Sequence, residues 1–260
     1  MKILAIGDVV GEESIAYLER RLGKLRKEEA IDFCVANAEN SAKQNGVDES
    51  GANRLFWAGV DVLTGGNHTW QGKNVCELLA ENKNVLRPAN YPGTAPGNGY
   101  VIFEHNQYRI LVLNLLGTAF MEAVDHPFYC AKSILENEKD AFDFAIIDFH
   151  AEATAEKAAL AQYLDSLFPK LAVFFGTHTH VPTADERILP GGTGFITDIG
   201  MCGPVDSVLG MDSDRAIERF LTKRPVRFQV ASHGEWQCSG AVFEVDEKKG
   251  RCLSVKRVRF

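Results

Sequence analysis

The chain has no C-x-x-C pair and no regular spacing among its six cysteines (Cys34, Cys76, Cys130, Cys202, Cys238 and Cys252). This excludes a disulfide framework or a thiolate zinc site, and predicts free thiols acting as small core hydrophobes in a reducing compartment. No apolar run is long enough to span a bilayer. The first apolar stretch, Lys2 to Ile6, meets the charge of Asp8 at once, too early for a secretory signal. These absences predict a cytoplasmic protein with no membrane partner. Surplus positive charge is also missing: the net charge is −7 over 260 residues. A polyanion such as duplex DNA is therefore a poor candidate for the main partner, and a nucleic acid polymer is not expected. The one dense basic run (Lys248, Lys249, Arg251, Lys256, Arg257 and Arg259) reads as a charged edge strand protected against pairing.

Familiar nucleotide and hydrolase signatures are missing as well. There is no G-x-G-x-x-G and no G-x-S-x-G. Gly66 to Lys73 approaches a P-loop, but five residues separate its glycines and Asn74 stands where a Ser or Thr should bind magnesium. Neither an internal repeat nor a low-complexity linker divides the chain, so residues 1–260 read as one domain.

What is present is an alternation of short apolar strands and amphipathic helices. Strands are predicted at 3–6, 33–36, 60–63, 85–88, 144–149, 171–175, 187–189, 194–197, 226–231, 241–245 and 253–258, with a hairpin at 100–103 and 108–113. Helices are predicted near 12–29, 48–58, 75–81, 154–167 and 214–221. The segment 90–99, rich in Pro, Gly and Asn, is loop, and 198–210 reads as a glycine-rich loop with no element of its own, whose Asp198 could shape a substrate pocket. Helices between the early strands and β-rich ends to both halves suggest a mixed α/β fold with two sheets packed together and helices outside.

Five of the strands end in Asp8, Glu39-Asn40, Asn67-His68, His150, and His178 with His180. Taken alone, His178-Thr179-His180 reads as two satisfied polar residues in a turn. In extended backbone, however, side chains two apart point the same way, so both imidazoles could aim at one point beyond a strand's carboxyl end, where α/β sheets bind ligands. Five such termini carrying only carboxylate, carboxamide and imidazole make a metal-site pattern suited to manganese, iron or zinc. The donors are too many for one ion with an open position, and two ions a few ångströms apart would use them all.

These residues resemble a family. Asp8, Glu39, Gly66-Asn67-His68, His150 and Gly176-Thr177-His178-Thr179-His180 are similar to the motifs of calcineurin-like metallophosphoesterases, and Asn37-Ala38-Glu39-Asn40, Gly176 to Asp185 and Thr197 to Pro204 resemble the YmdB-like bacterial branch. The first strand ends in Asp8-Val9-Val10 where most of the superfamily has Asp-x-His, and Glu39 stands where most have Asp. Asn40, beside it, is able to replace the lost histidine. The resemblance implies an α/β four-layer α/β/β/α sandwich and a dinuclear phosphodiesterase that hydrolyses small 2′,3′-cyclic nucleotides with a metal-bridging hydroxide. It assigns Asp8, Glu39, Asn40 and His180 to one ion, Glu39, Asn67, His150 and His178 to the other, and His68 to general acid catalysis. The ions would be iron or manganese, with zinc also compatible, and the branch implies a homo-oligomer. A phosphomonoesterase of the same superfamily, and a regulatory nucleotide-binding protein that uses metals structurally, are the alternatives.

Overall fold

The computed structural model describes residues 1–43 and 45–260. In chain order the elements are β1 (Lys2–Ile6), β2 (Asp8–Val9), α1 (Glu12–Glu28), β3 (Phe33–Asn37), α2 (Glu49–Ala58), β4 (Val62–Thr64), a 3-10 turn (Thr69–Gln71) and α3 (Val75–Glu81). Then come β5 (Tyr100–His105), β6 (Tyr108–Leu116), α4 (Pro127–Asn137), β7 (Phe144–His150), α5 (Thr154–Leu167) and β8 (Leu171–Thr177). The chain closes with β9 (Arg187–Ile188), β10 (Gly194–Ile196), β11 (Met201–Pro204), α6 (Ser213–Thr222), β12 (Trp236–Asp246) and β13 (Arg251–Arg259).

Period-two alternation along the strands builds the layers. Ile3 and Ala5 of β1, Phe33 and Val35 of β3, and Val62 of β4 face a second sheet and pack there with Ile110, Val112, Ile146 and Phe175. Their neighbours Leu4, Ile6, Cys34, Ala36 and Leu63 face the other way, onto the stripe of α1 (Ile15, Leu18, Leu22) and onto α2 and α3. The second sheet runs β5-β6-β7-β8-β10-β9, and its outer face carries Leu111, Ala145, Ile147 and Phe149 against Ala131 and Leu135 of α4 and Leu160, Ala161 and Leu164 of α5. The result is an α/β/β/α sandwich. β1, β3 and β4 are mutually parallel, as are β6, β7 and β8, so both sheets present carboxyl ends on one rim. Of the basic C-terminal run, Arg251, Lys256, Arg257 and Arg259 lie on β13, which among the described strands pairs with β12 alone, and Lys248 and Lys249 lie in the turn before it.

Several expectations need correction. Residues 85–88 and 226–231 are not strands; they make only isolated bridges, Leu63 to Val85, Leu86 to Asn98 and Met211 to Val230. Backbone groups of 226–231 bond to the loop and helix start beside them instead, as in Asp212 N–H to Gln229 C=O at 2.9 Å. The loop 198–210 contains β11, which inserts between β2 and β12. Helix α4 had no place in the sequence reading; it starts at Pro127, with the His126 ring accepting the Phe128 N–H. Lys157 is buried on the inner face of α5 with Leu160, Ala161 and Leu164. All six cysteines are free, and no helix among the described residues is long and apolar enough to cross a membrane.

Lys157 is the fold's most consequential buried charge, with its side chain wholly inaccessible. Its ammonium donates to Asp198 Oδ2 at 2.7 Å and to the Thr177 carbonyl at 2.8 Å. Asp198 also accepts the N–H groups of Thr179 (3.2 Å) and Gly200 (2.9 Å). Asp198 is thus a buried brace and does not line the cleft. Burial pushes its carboxyl up, and Lys157 opposes that shift. Together they fix the end of β8, which passes so close to Thr197 that any side chain at Gly176 would collide with the Thr197 carbonyl oxygen. Lys157→Met is expected to lower the unfolding free energy by about 3–5 kcal/mol, because it leaves Asp198 buried and unpaired. Adding Asp198→Asn should recover much of that loss in urea titrations, and a single-variant cost below about 1 kcal/mol would contradict a bracing role.

Candidate metal centre

All eight residues singled out in the sequence gather at the rim where the two sheets' carboxyl ends meet. Asp8 opens β2 directly after β1, Glu39 and Asn40 follow β3, Asn67 and His68 follow β4, His150 ends β7, and His178 and His180 follow β8. Asp8, Glu39, Asn40 and His150 are buried. The backbone must come close here: any side chain at Gly66 would collide with Glu39 Oε2 and with the His150 ring.

The donors form two adjoining groups. Around His150 Nε2 stand Glu39 Oε1 at 3.0 Å, His178 Nδ1 at 3.0 Å and Asn67 Oδ1 at 3.1 Å. Donors about 2.1 Å from one ion, at right angles to one another, stand ~3 Å apart, so this spacing suits a single cation. Glu39, His150 and His178 alone already make a triad able to hold a metal ion. The second group surrounds His180 Nε2, with the Asn40 amide nitrogen at 3.3 Å and Asp8 Oδ1 at 3.6 Å. A half-turn of that amide puts its oxygen in the same place, the orientation a cation would select. Glu39 Oε1 also lies 3.4 Å from the Asn40 amide, so this carboxylate belongs to both groups. Asp8 Oδ1 is buried and has no hydrogen-bond partner among the described residues. A buried anionic oxygen aimed at two imidazoles suits a cation-binding group.

His178 and His180 converge differently from the sequence reading. β8 ends at Thr177, and neither histidine is extended: φ is +97° at His178 and +64° at His180. Such values strain a residue with a side chain and persist only where the surroundings over-determine them. Here the His178 N–H is held by Asp8 Oδ2 at 3.1 Å, and the Lys157–Asp198 pair lies beneath. The two rings consequently serve different groups and do not share one point.

Each imidazole is oriented by a partner on its far side. His150 Nδ1–H donates to Thr177 Oγ1 (2.9 Å), whose own hydroxyl donates to Asp148 Oδ1 (2.7 Å). His180 Nδ1–H donates to the Leu209 carbonyl at 2.9 Å, and His178 Nε2 faces Glu152 Oε2 at 3.1 Å. Metal-bound histidines are held in this way, with the ligating nitrogen left free for the ion. Thr177, Asp148, Glu152 and Leu209 were missed in the sequence. Gln71 was missed too; its amide donates to His68 Nδ1 at 2.8 Å.

The electrostatics agree. Burial pulls His150 toward neutrality, but Glu39, Asp8 and Asp148 outweigh it and push the ring up to about 9. Burial would raise Glu39 and Asp8 as well, yet His150 holds the first, and His180 with His150 the second, below the ordinary carboxylate range. The same carboxylates that favour a charged His150 would favour a cation beside it, and a metal ion would need the ligating nitrogen deprotonated. His178 is driven down to about 4, by burial and then by His150. Asp148 is pushed up to about 6 by burial, against the hydroxyl of Thr64.

Above the donors opens a cleft of about 1110 Å³. Its walls come from the start of α1 (Gly11, Glu12, Glu13), from Lys43 and Asn45, and from the irregular segment 227–232. Trp70 does not line it; its ring packs edge-on against Tyr91 at 5.2 Å.

Known proteins resemble this chain along its length. A model of the YmdB-like protein family matches residues 4–258. A Bacillus subtilis protein named 2′,3′-cyclic-nucleotide 2′-phosphodiesterase is 40% identical over 258 residues, covering 99% of this chain and 96% of its own length. Among solved structures, a hypothetical protein from Thermus thermophilus superposes with a TM-score of 0.92 at 36% identity, covering 100% of this chain and 99% of its own. A structure described as a novel phosphatase from Mycoplasma pneumoniae also gives 0.92, at 34% identity, covering 100% and 93%. With the family model matched along nearly its whole length, this chain belongs to the YmdB-like protein family.

Proposed function

We propose that the chain is a phosphodiesterase that uses two divalent ions, iron or manganese with zinc also compatible, to hydrolyse small 2′,3′-cyclic nucleotides. The observation that carries this reading is the sharing of Glu39 between two donor groups whose three imidazoles are each oriented from behind. Asp8, Glu39, Asn40 and His180 would hold one ion, and Glu39, Asn67, His150 and His178 the other. When bound, such ions supply an activated water at neutral pH and neutralise charge on a phosphate. The substrate class is supported by the name of the Bacillus subtilis relative and by charge. The cleft walls carry Glu12, Glu13 and Glu152 against only Lys43 and Arg227 among the described lining residues. A chain of net charge −7 with so few cationic wall groups favours one compact phosphodiester over a polymer.

The protein's own groups then divide the work. His68 lines the cleft, and its backbone N–H is fixed by Glu39 Oε2 at 2.9 Å. Gln71 engages the Nδ1 edge, so Nε2 of the protonated ring is the nitrogen left to donate to a leaving ribose oxygen. The Asn45 amide lies beside Gln71 Oε1 at 3.4 Å. The homo-oligomer, the cytoplasmic location and a single domain over 1–260 belong to the same proposal. A phosphatase reading draws on the description of the Mycoplasma pneumoniae structure; turnover of nucleoside monophosphates exceeding that of cyclic nucleotides under saturating manganese would favour it.

Protein reconstituted with manganese is expected to hold two ions per chain by elemental analysis, and Glu39→Gln to lose more metal than Asn40→Asp. Full occupancy in Glu39→Gln would remove the shared-carboxylate assignment. His68→Ala is expected to keep both ions and the fold yet lose roughly 10²–10⁴-fold in turnover of a 2′,3′-cyclic nucleotide. Its defect on bis(p-nitrophenyl) phosphate should be much smaller, since p-nitrophenolate leaves without a proton. Equal losses on the two substrates would sink the general-acid role.

A further inference from the structure

Of the three imidazoles in the centre, two are oriented by groups that solvent does not reach or by backbone. His150 leans on Thr177 and Asp148, both wholly buried, and His180 on the Leu209 carbonyl. His178 differs in both respects. Its partner is an ionisable side chain, Glu152, about half exposed and lining the cleft. It also turns Nδ1 into the centre, whereas His150 and His180 present Nε2.

A neutral imidazole holds one proton, and free in water it distributes that proton over both nitrogens. An ionised carboxylate accepts and never donates. With Glu152 Oε2 3.1 Å from Nε2, the proton is drawn to Nε2, and the Nδ1 lone pair is left pointing at Glu39 and His150. The backbone alone does not secure this. The left-handed φ of His178 places the ring at the rim, and a ring flip about χ2 would exchange the nitrogen and carbon edges facing the centre. The chain's path supplies the carboxylate at the right distance: β7 ends at His150, and the turn into α5 puts Glu152 two residues later, beside the ring that follows β8.

We propose that Glu152 is a positioning residue that locks His178 in the Nε2–H tautomer and ring orientation, so that Nδ1 is presented to the ion held with Glu39, Asn67 and His150. This rests on the metal reading above and extends it to a residue outside the donor set. Glu152 touches a donor and no reacting atom. Its contribution is therefore to the affinity of one ion site, with the other unaffected.

The test compares wild type with Glu152→Met, which keeps side-chain length but cannot accept a proton, and Glu152→Gln, which keeps a neutral acceptor. Metal-free protein is titrated with zinc, ions per chain are counted, and a long-range proton–nitrogen spectrum of the loaded protein reads the His178 tautomer, assigned by difference from His178→Ala. Expected are two sites in wild type, one of them weakened about 10–100-fold in Glu152→Met, and Glu152→Gln within a few-fold of wild type. In the spectrum, His178 should carry its proton on Nε2 in wild type and lose protection of that proton in Glu152→Met. Wild-type affinities and an unchanged His178 signal in Glu152→Met would overturn the proposal while leaving the metal reading intact. Equal weakening in Met and Gln would also overturn it, by showing that the carboxylate acts through charge alone. A wild type that binds no zinc and, titrated in the same way, no manganese or ferrous iron would remove the metal reading, and this proposal with it.

Discussion

The centre depends on a contact that no substrate touches, the ion pair between Lys157 and Asp198. Both charges are withdrawn from water, a state tolerated only when every remaining bonding position is filled. Here the spare positions are filled by backbone: the Thr177 carbonyl on the ammonium, and the Thr179 and Gly200 N–H groups on the carboxylate. The pair therefore bonds α5 to the end of β8 and to the stretch before β11. The backbone between those fixed points is what carries His178 and His180 with positive φ. A loop free to relax would return these residues to ordinary dihedrals and scatter the rings.

Two carboxylates buried side by side would repel, and burial would favour their protonation. Asp8 and Glu39 escape this because imidazoles surround them, and even then one oxygen of Asp8 stays unpartnered. The arrangement resembles a lock built around a positive charge. The same carboxylates push His150 up to about 9 and raise His180 above the ordinary imidazole range, in both cases against burial.

The donors themselves were legible because they follow strand ends, and an apolar run that stops at a polar residue is a signal carried by spacing. Asp8, Glu39, Asn67 and His150 announce themselves in this way. Their supports do not. Thr177 lies inside a motif already read for its histidines, Asp148 is one polar residue inside an apolar strand, and Leu209 acts through a carbonyl that every residue possesses. The same limit explains the segment 226–231. Its alternation is that of a strand, yet its pairing partners are a loop and a helix start, a tertiary choice that local pattern does not encode. The fold's layers, by contrast, were largely readable, since Ile3 and Leu4, or Val35 and Ala36, already declare opposite faces in sequence.

The donors are also divided between the two sheets. Asp8, Glu39, Asn40 and Asn67 hang from the first sheet, while His150, His178 and His180 hang from the second, and the His178 N–H to Asp8 bond crosses the seam. The interface between the sheets elsewhere is apolar and without direction, so it resists separation better than sliding. Anything held jointly by the two donor sets acts as a rivet at one end of that interface. It would oppose shear between the sheets, and its binding free energy would add to the cohesion of the sandwich as well as serving the chemistry at the rim.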